Sequence, residues 1–151
     1  MIISDSSTLI ILSDLNKLNL LSNLFSQIFI PPAVYQEINA KKKMILPNFI
    51  EIREVKNSEM VENLNMILDL GESQAIALAL EMDLKLIIDE KKGRKIAMNQ
   101  GITITGLLGI IYLNIKKGFI TENEAKLFLN NAIENGYRIN TKLINSMFDK
   151  L

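Results

Sequence analysis

Short strand-like apolar runs separated by segments of helical spacing constrain this chain more than any other feature of its sequence. "MIIS" carries three apolar residues without alternation, as expected for a buried strand covered on both faces. "QIFIPP", stopped by Pro31 and Pro32, "LKLIID" and "ITIT" read as further short strands, and the alternating "NFIEIREV" suggests an edge or surface strand. Helical spacing fills the intervals. "SSTLIILSDL" and "NKLNLLSNLF" each show helical apolar spacing, with Ser6 or Ser7 as the expected N-cap of the first, and "AVYQEI" starts just inside a proline. Residues 57–70 space Met60, Leu64, Ile67 and Leu68 helically, and "GESQAIALALEM" is the strongest helix, punctuated by Gly71 with Glu72 in its first turn. "KKGRKIAMNQ" leads into a helix closed by Gly101, and helices follow over 107–117, 122–134 and from Thr141. Alternating strands and helices predict an α/β fold with a mainly parallel sheet, right-handed crossovers and helices on both faces. With 151 residues, 48% of them hydrophobic, one domain over 1–151 is expected.

Carboxylates at the strand ends carry the chemistry. Asp5 follows "MIIS" and Asp89 follows "LKLII". In an open parallel sheet these are positions outside the carboxyl ends of strands, where ligands bind. Glu37, on the helix after the second strand, and Glu72 start near the same rim, so four acids are expected in one pocket. Each has a structural reading as well: Asp5 as a helix cap, Glu72 as a partner of the helix dipole, Glu37 as a surface acid, Asp89 as a turn residue. Clustered carboxylates oppose ionisation and need a compensating cation.

Composition narrows what that cation is. The chain has no histidine and no cysteine, which removes an imidazole base, a thiolate nucleophile, disulfides and the usual zinc sites. Oxygen ligands alone point to Mg²⁺ or Mn²⁺. Lys+Arg and Asp+Glu both count 17, so nucleic-acid binding must rest on local patches: Lys41 to Lys43, then Lys91, Lys92, Arg94 and Lys95, then Lys116 and Lys117. Each patch also reads as a solvated face. Asp5 and Asp14 break any signal-like N-terminal run, and no apolar stretch is long enough to span a membrane, so a cytoplasmic protein without membrane partners is expected.

"IISDSSTLI", "IFIPPAVYQEI", "GESQAIALALEMDLKLIIDEKKGRKIA" and "ITITGLLGIIYLNIKKGFI", in that order across 1–120, resemble the PIN-domain superfamily. The likeness is strongest to a small prokaryotic, VapC-like branch with PPAVYxE, GExxAIxLA and D[DE]xxGR segments. The resemblance implies a three-layer α/β/α nuclease fold, with residues 121–151 as a C-terminal helical extension. It implies a Mg²⁺- or Mn²⁺-dependent endoribonuclease, the toxin of a type II toxin–antitoxin pair, with RNA as substrate, an antitoxin partner covering the acidic pocket, and a homodimer. By matching position, Asp5, Glu37, Glu72 and Asp89 are the catalytic and metal-binding acids. Glu90 stands where relatives often have a second Asp. Ser6 and Ser7 match a small polar pair that orients Asp5, while Lys91, Lys92 and Arg94 are placed to grip phosphates, Arg94 equally as a structural partner of the acids.

Two other readings compete. A non-catalytic PIN-like RNA-binding or regulatory module would keep the fold without the chemistry. A metal-dependent phosphotransfer protein is the other; a haloacid-dehalogenase-like phosphatase, however, has a second Asp two residues after the first, where this chain has Ser7, and the acid and lysine pattern of a receiver is absent.

Overall fold

The computed structural model describes residues 1–151 and contains five strands: β1 (Ile2–Ser4), β2 (Ile28–Ile30), β3 (Ile50–Ile52), β4 (Leu86–Ile87) and β5 (Ile104–Thr105). They form one all-parallel sheet in the order β3-β2-β1-β4-β5. Nine helices flank it in a three-layer α/β/α arrangement: α1 (Ser6–Asp14), α2 (Asn19–Ser22), α3 (Pro32–Lys41), α4 (Ser58–Asn65), α5 (Leu70–Met82), α6 (Lys91–Asn99), α7 (Leu107–Lys116), α8 (Glu122–Glu134) and α9 (Thr141–Asp149).

Continuous apolar sequence explains the strands. Every residue of β1, β2 and β4 is buried, as a sheet covered on both faces requires. The alternating segment supplies β3, which stands at the sheet edge with Glu51 and Ile52 exposed. β1 is central, with Ile3 in register with Phe29 on one side and Leu86 on the other. The chain goes from β1 outward to β2 and β3, then returns to β4 and β5. The direction of winding thus reverses between β1 and β4, which is the switch point where open α/β sheets bind ligands.

Helix boundaries follow their caps, twice against expectation. Asp5, and neither Ser6 nor Ser7, occupies the N-cap position of α1, and its side chain makes no capping hydrogen bond. Asp69 caps α5 by accepting from the Glu72 N–H at 2.8 Å, so Gly71 lies inside the helix and does not punctuate it. α3 starts at Pro32, and Gly101, at φ 82°, follows α6 in the left-handed region that favours glycine. Thr121 and Glu124 form a reciprocal capping box at the start of α8. Phe128, Leu129 and Met147 anchor α8 and α9 in the core, whereas Ile133 and Leu143 of the same helices are exposed. No helix is long and apolar enough to cross a membrane.

Candidate active site

The rim at the switch point is built from backbone outward. The Asp5 N–H donates to the Ile87 carbonyl at 2.9 Å, so the β1–β4 ladder still holds the backbone where the carboxylate begins. Asp5 is 3% exposed; its Oδ2 accepts from the Asp89 N–H at 3.3 Å, and its Oδ1 has no partner. Burial, then the nearby Asp89 carboxylate, and more weakly Glu37, push Asp5 up to about 8, against the lowering effect of the Asp89 and Thr8 N–H groups. An acid buried this way is costly to fold, and although Asp5 holds the N-cap position of α1, the N–H groups of Asp89 and Thr8 offset only part of that cost.

Asp89 is the next member. Its carboxylate accepts from Thr8 Oγ1 at 2.7 Å and from the Leu107 N–H, at the start of α7, at 3.2 Å to each oxygen. Glu37 accepts from Ser6 Oγ at 2.5 Å. The polar pair after Asp5 therefore does not orient Asp5: Ser6 fixes Glu37, and Ser7 is exposed with no side-chain hydrogen bond. Thr8, one residue further on, holds Asp89. Sequence reasoning passed over Thr8 because it reads as one more residue of an apolar helix.

Glu72 stands with a second set of acids. Its Oε2 is buried without a partner. Burial, then the carboxyls of Asp69 and Glu90 beside it, push it up to about 8. Glu90 instead caps α6, accepting from the Gly93 N–H at 2.6 Å and the Lys92 N–H at 3.1 Å, and the Gly93 donation holds it below the usual carboxylate range. Lys92 contributes that N–H while its side chain is exposed. Arg94 Nη1 donates to the Ile88 carbonyl at 2.9 Å, which ties it to the end of β4.

Three glycines keep the acids in place. A Cβ on Gly71 would overlap the Glu37 carboxylate, and one on Gly106 would overlap that of Asp89. A Cβ on Gly93 would lie 2.7 Å from Ile88 Cδ1 and 2.9 Å from Glu72 Oε2. Each of these glycines is buried, and each leaves the space one carboxylate occupies.

The rim thus gathers Asp5, Asp89 and Glu37 through Ser6 and Thr8, and Glu72, Glu90 and Asp69 through the starts of α5 and α6. No three of these acids stand close enough, as arranged, to enclose a metal ion. The donor chemistry nonetheless fits a hard divalent cation: the two orphaned buried oxygens belong to carboxylates, Asp5 Oδ1 and Glu72 Oε2, and the chain offers no histidine or cysteine to draw a softer metal. The family model for DUF3368, described as a PIN domain, matches residues 1–151. No curated protein matches the sequence.

Proposed function

Because this chain belongs to the PIN-domain family, a nuclease-type fold, we propose that it is a Mg²⁺- or Mn²⁺-dependent endoribonuclease that hydrolyses RNA phosphodiester bonds. One observation carries the reading: Asp5 brings a buried, partnerless carboxylate oxygen to the sheet's switch point beside Asp89. Asp5, Asp89 and Glu37, drawn closer than they stand, would hold the cation from one side of the rim, and Glu72 from the group it forms with Asp69 and Glu90. When bound, it neutralises their charge, polarises the phosphodiester and lowers the pKa of water. The rest is work for this chain. Thr8 and the Leu107 N–H hold Asp89 in one orientation, and the Asp89 N–H does the same for Asp5. Burial favours the protonated forms of Asp5 and Glu72, so holding a cation would require both to ionise. Glu37, on the hydroxyl of Ser6, is the acid best placed to orient the attacking water and accept its proton. Products with 5′-phosphate and 3′-hydroxyl ends follow. Resemblance of the four sequence segments supports the role of toxin, with an antitoxin and a second copy of the chain as partners, in the cytoplasm.

A mixed single-stranded RNA panel incubated with Mg²⁺, Mn²⁺ or EDTA tests this. The wild type is expected to cut only with metal and Asp5→Asn not at all; equal cutting by both proteins would place the activity elsewhere. A second reading, an RNA-binding module without catalysis, draws support from the lack of a preassembled three-acid group. It predicts an RNA gel shift in Ca²⁺ and no cutting in Mn²⁺.

A further inference from the structure

A cavity of about 910 Å³ opens beside Asp89, between α6, β5, α7 and α9. Ile104, Leu108, Tyr112 and Met147 give it an apolar lining, while Lys91, Arg94 and Lys150 also face it. α9 meets it with Leu143, Ser146, Met147 and Lys150, which at i, i+3, i+4 and i+7 share one helix face. Met147 holds that face to the core, yet Leu143 is 58% exposed, so α9 presents an open wall.

Charge here departs from the balanced whole. The chain's one ion pair is Arg53 with Glu51, so all three cations of the cavity lack an acidic partner. Asp89 is the only acid in the lining, and Thr8 and the Leu107 N–H already bond its carboxylate. Unpaired cations around an apolar lining that includes an aromatic ring suit a polyanion with flat apolar faces, and an unstacked nucleotide is both. Asp89 belongs to both the cavity lining and the acid rim, so an occupant of the cavity lies beside the site described above.

We propose that this cavity binds a nucleotide of single-stranded RNA flanking the phosphate under attack. Lys91 and Lys150 take backbone phosphates, and Tyr112 offers its ring to the base. Arg94, tied to Ile88, stands between cavity and rim. The assignment rests on the nuclease reading for RNA as the polyanion, and it gives α9 a role in substrate binding.

Fluorescence anisotropy of a short labelled single-stranded RNA, in Ca²⁺ and over a range of salt, is read beside Mn²⁺-dependent cleavage. Lys91→Gln and Lys150→Gln are each expected to make the dependence of log affinity on log salt shallower by about 0.7, the value of one lost phosphate contact on a single strand. Tyr112→Leu is expected to weaken binding about tenfold and Tyr112→Phe to restore it, as base stacking requires. In cleavage these variants raise KM and leave kcat near the wild-type value. Lys17→Gln, exposed beyond the end of α1, is expected to change neither slope nor KM. RNA cleavage by wild type with unchanged KM and salt slope in all the cavity variants would overturn this assignment, leave the nuclease reading standing and point to a protein segment in the cavity. Wild type that binds RNA without cutting it, with binding lost in the variants, would support the assignment while the nuclease reading fails. Absence of both binding and cutting in the wild type would overturn both.

Discussion

Asp5 sets its proposed role against stability in one side chain. Its carboxyl is raised to about 8 in the fold from an ordinary value of 3.8, so the folded protein binds the proton more tightly than the unfolded chain. Its contribution to stability is therefore full below about pH 4 and is lost as pH rises through about 8. Glu72, raised to about 8, acts in the same direction. In chelator, thermal melts taken from about pH 5 to about pH 9 are expected to show the wild type losing stability relative to Asp5→Asn, the variant for which loss of cleavage is predicted. Parallel melting curves of the two proteins across that range would show that Asp5 is not the group responsible. The glycines make a complementary prediction. Gly106→Ala inserts a methyl where the Asp89 carboxylate and Arg94 Nη1 lie, and is expected to cost about 1–3 kcal/mol. Far-UV circular dichroism should stay unchanged while the Mn²⁺ concentration needed for half-maximal cleavage rises. Gly136→Ala, at φ 92° with open space around its Cβ, strains the backbone without touching the rim and should lower stability alone.

Elements were more legible than the side chains they carry. The span 122–134 and the α9 start at Thr141 agree with the structure to the residue, because hydrophobic spacing and caps are local signals. The misses share one physical cause. Asp, Ser and Thr just before a helix look like caps whatever they do, so the sequence suggests Ser6 or Ser7 as the cap of α1, whereas Ser6 bonds Glu37, 31 residues away. Gly71 looked like a stop because its use, making room for Glu37 against α5, is a contact between helices that no local pattern reveals. Thr8 meets Asp89 across 81 residues. Convergence of Asp5 and Asp89 was foreseeable from strand ends alone, while the separation of Glu72 into a group with Asp69 and Glu90 required the fold. Another long-range contact gives a test of packing: Asn114 of α7 is fully buried, donates to the Leu20 and Ile110 carbonyls at 2.8 Å each, and accepts from Asn23 at 3.0 Å. Asn114→Ala leaves the Leu20 carbonyl and the Asn23 amide without this partner, and chemical denaturation should register a loss of about 1–3 kcal/mol. Cleavage per folded molecule should be unchanged.

For the whole molecule, net charge is zero, so the proposed attraction to RNA has to come from the placement of charge and not its sum. Metal should act as a folding ligand as well as a catalyst. Mn²⁺ at a hundred times its dissociation constant is expected to add about 2.7 kcal/mol to the wild type, and markedly less to Asp5→Asn, as read by thermal melts. Equal stabilisation of both would remove Asp5 from the ligand set. The sheet order also makes the protein's synthesis a timer. β1 leaves the ribosome first yet lies between β2 and β4, and β4 consists of residues 86–87. Until then one edge of β1 is open and Asp5 lacks the Asp89 N–H. At about 5–20 residues per second, several seconds of translation pass before the rim can close. A ribosome stalled in the first half of the message therefore releases a fragment whose acid rim has not assembled.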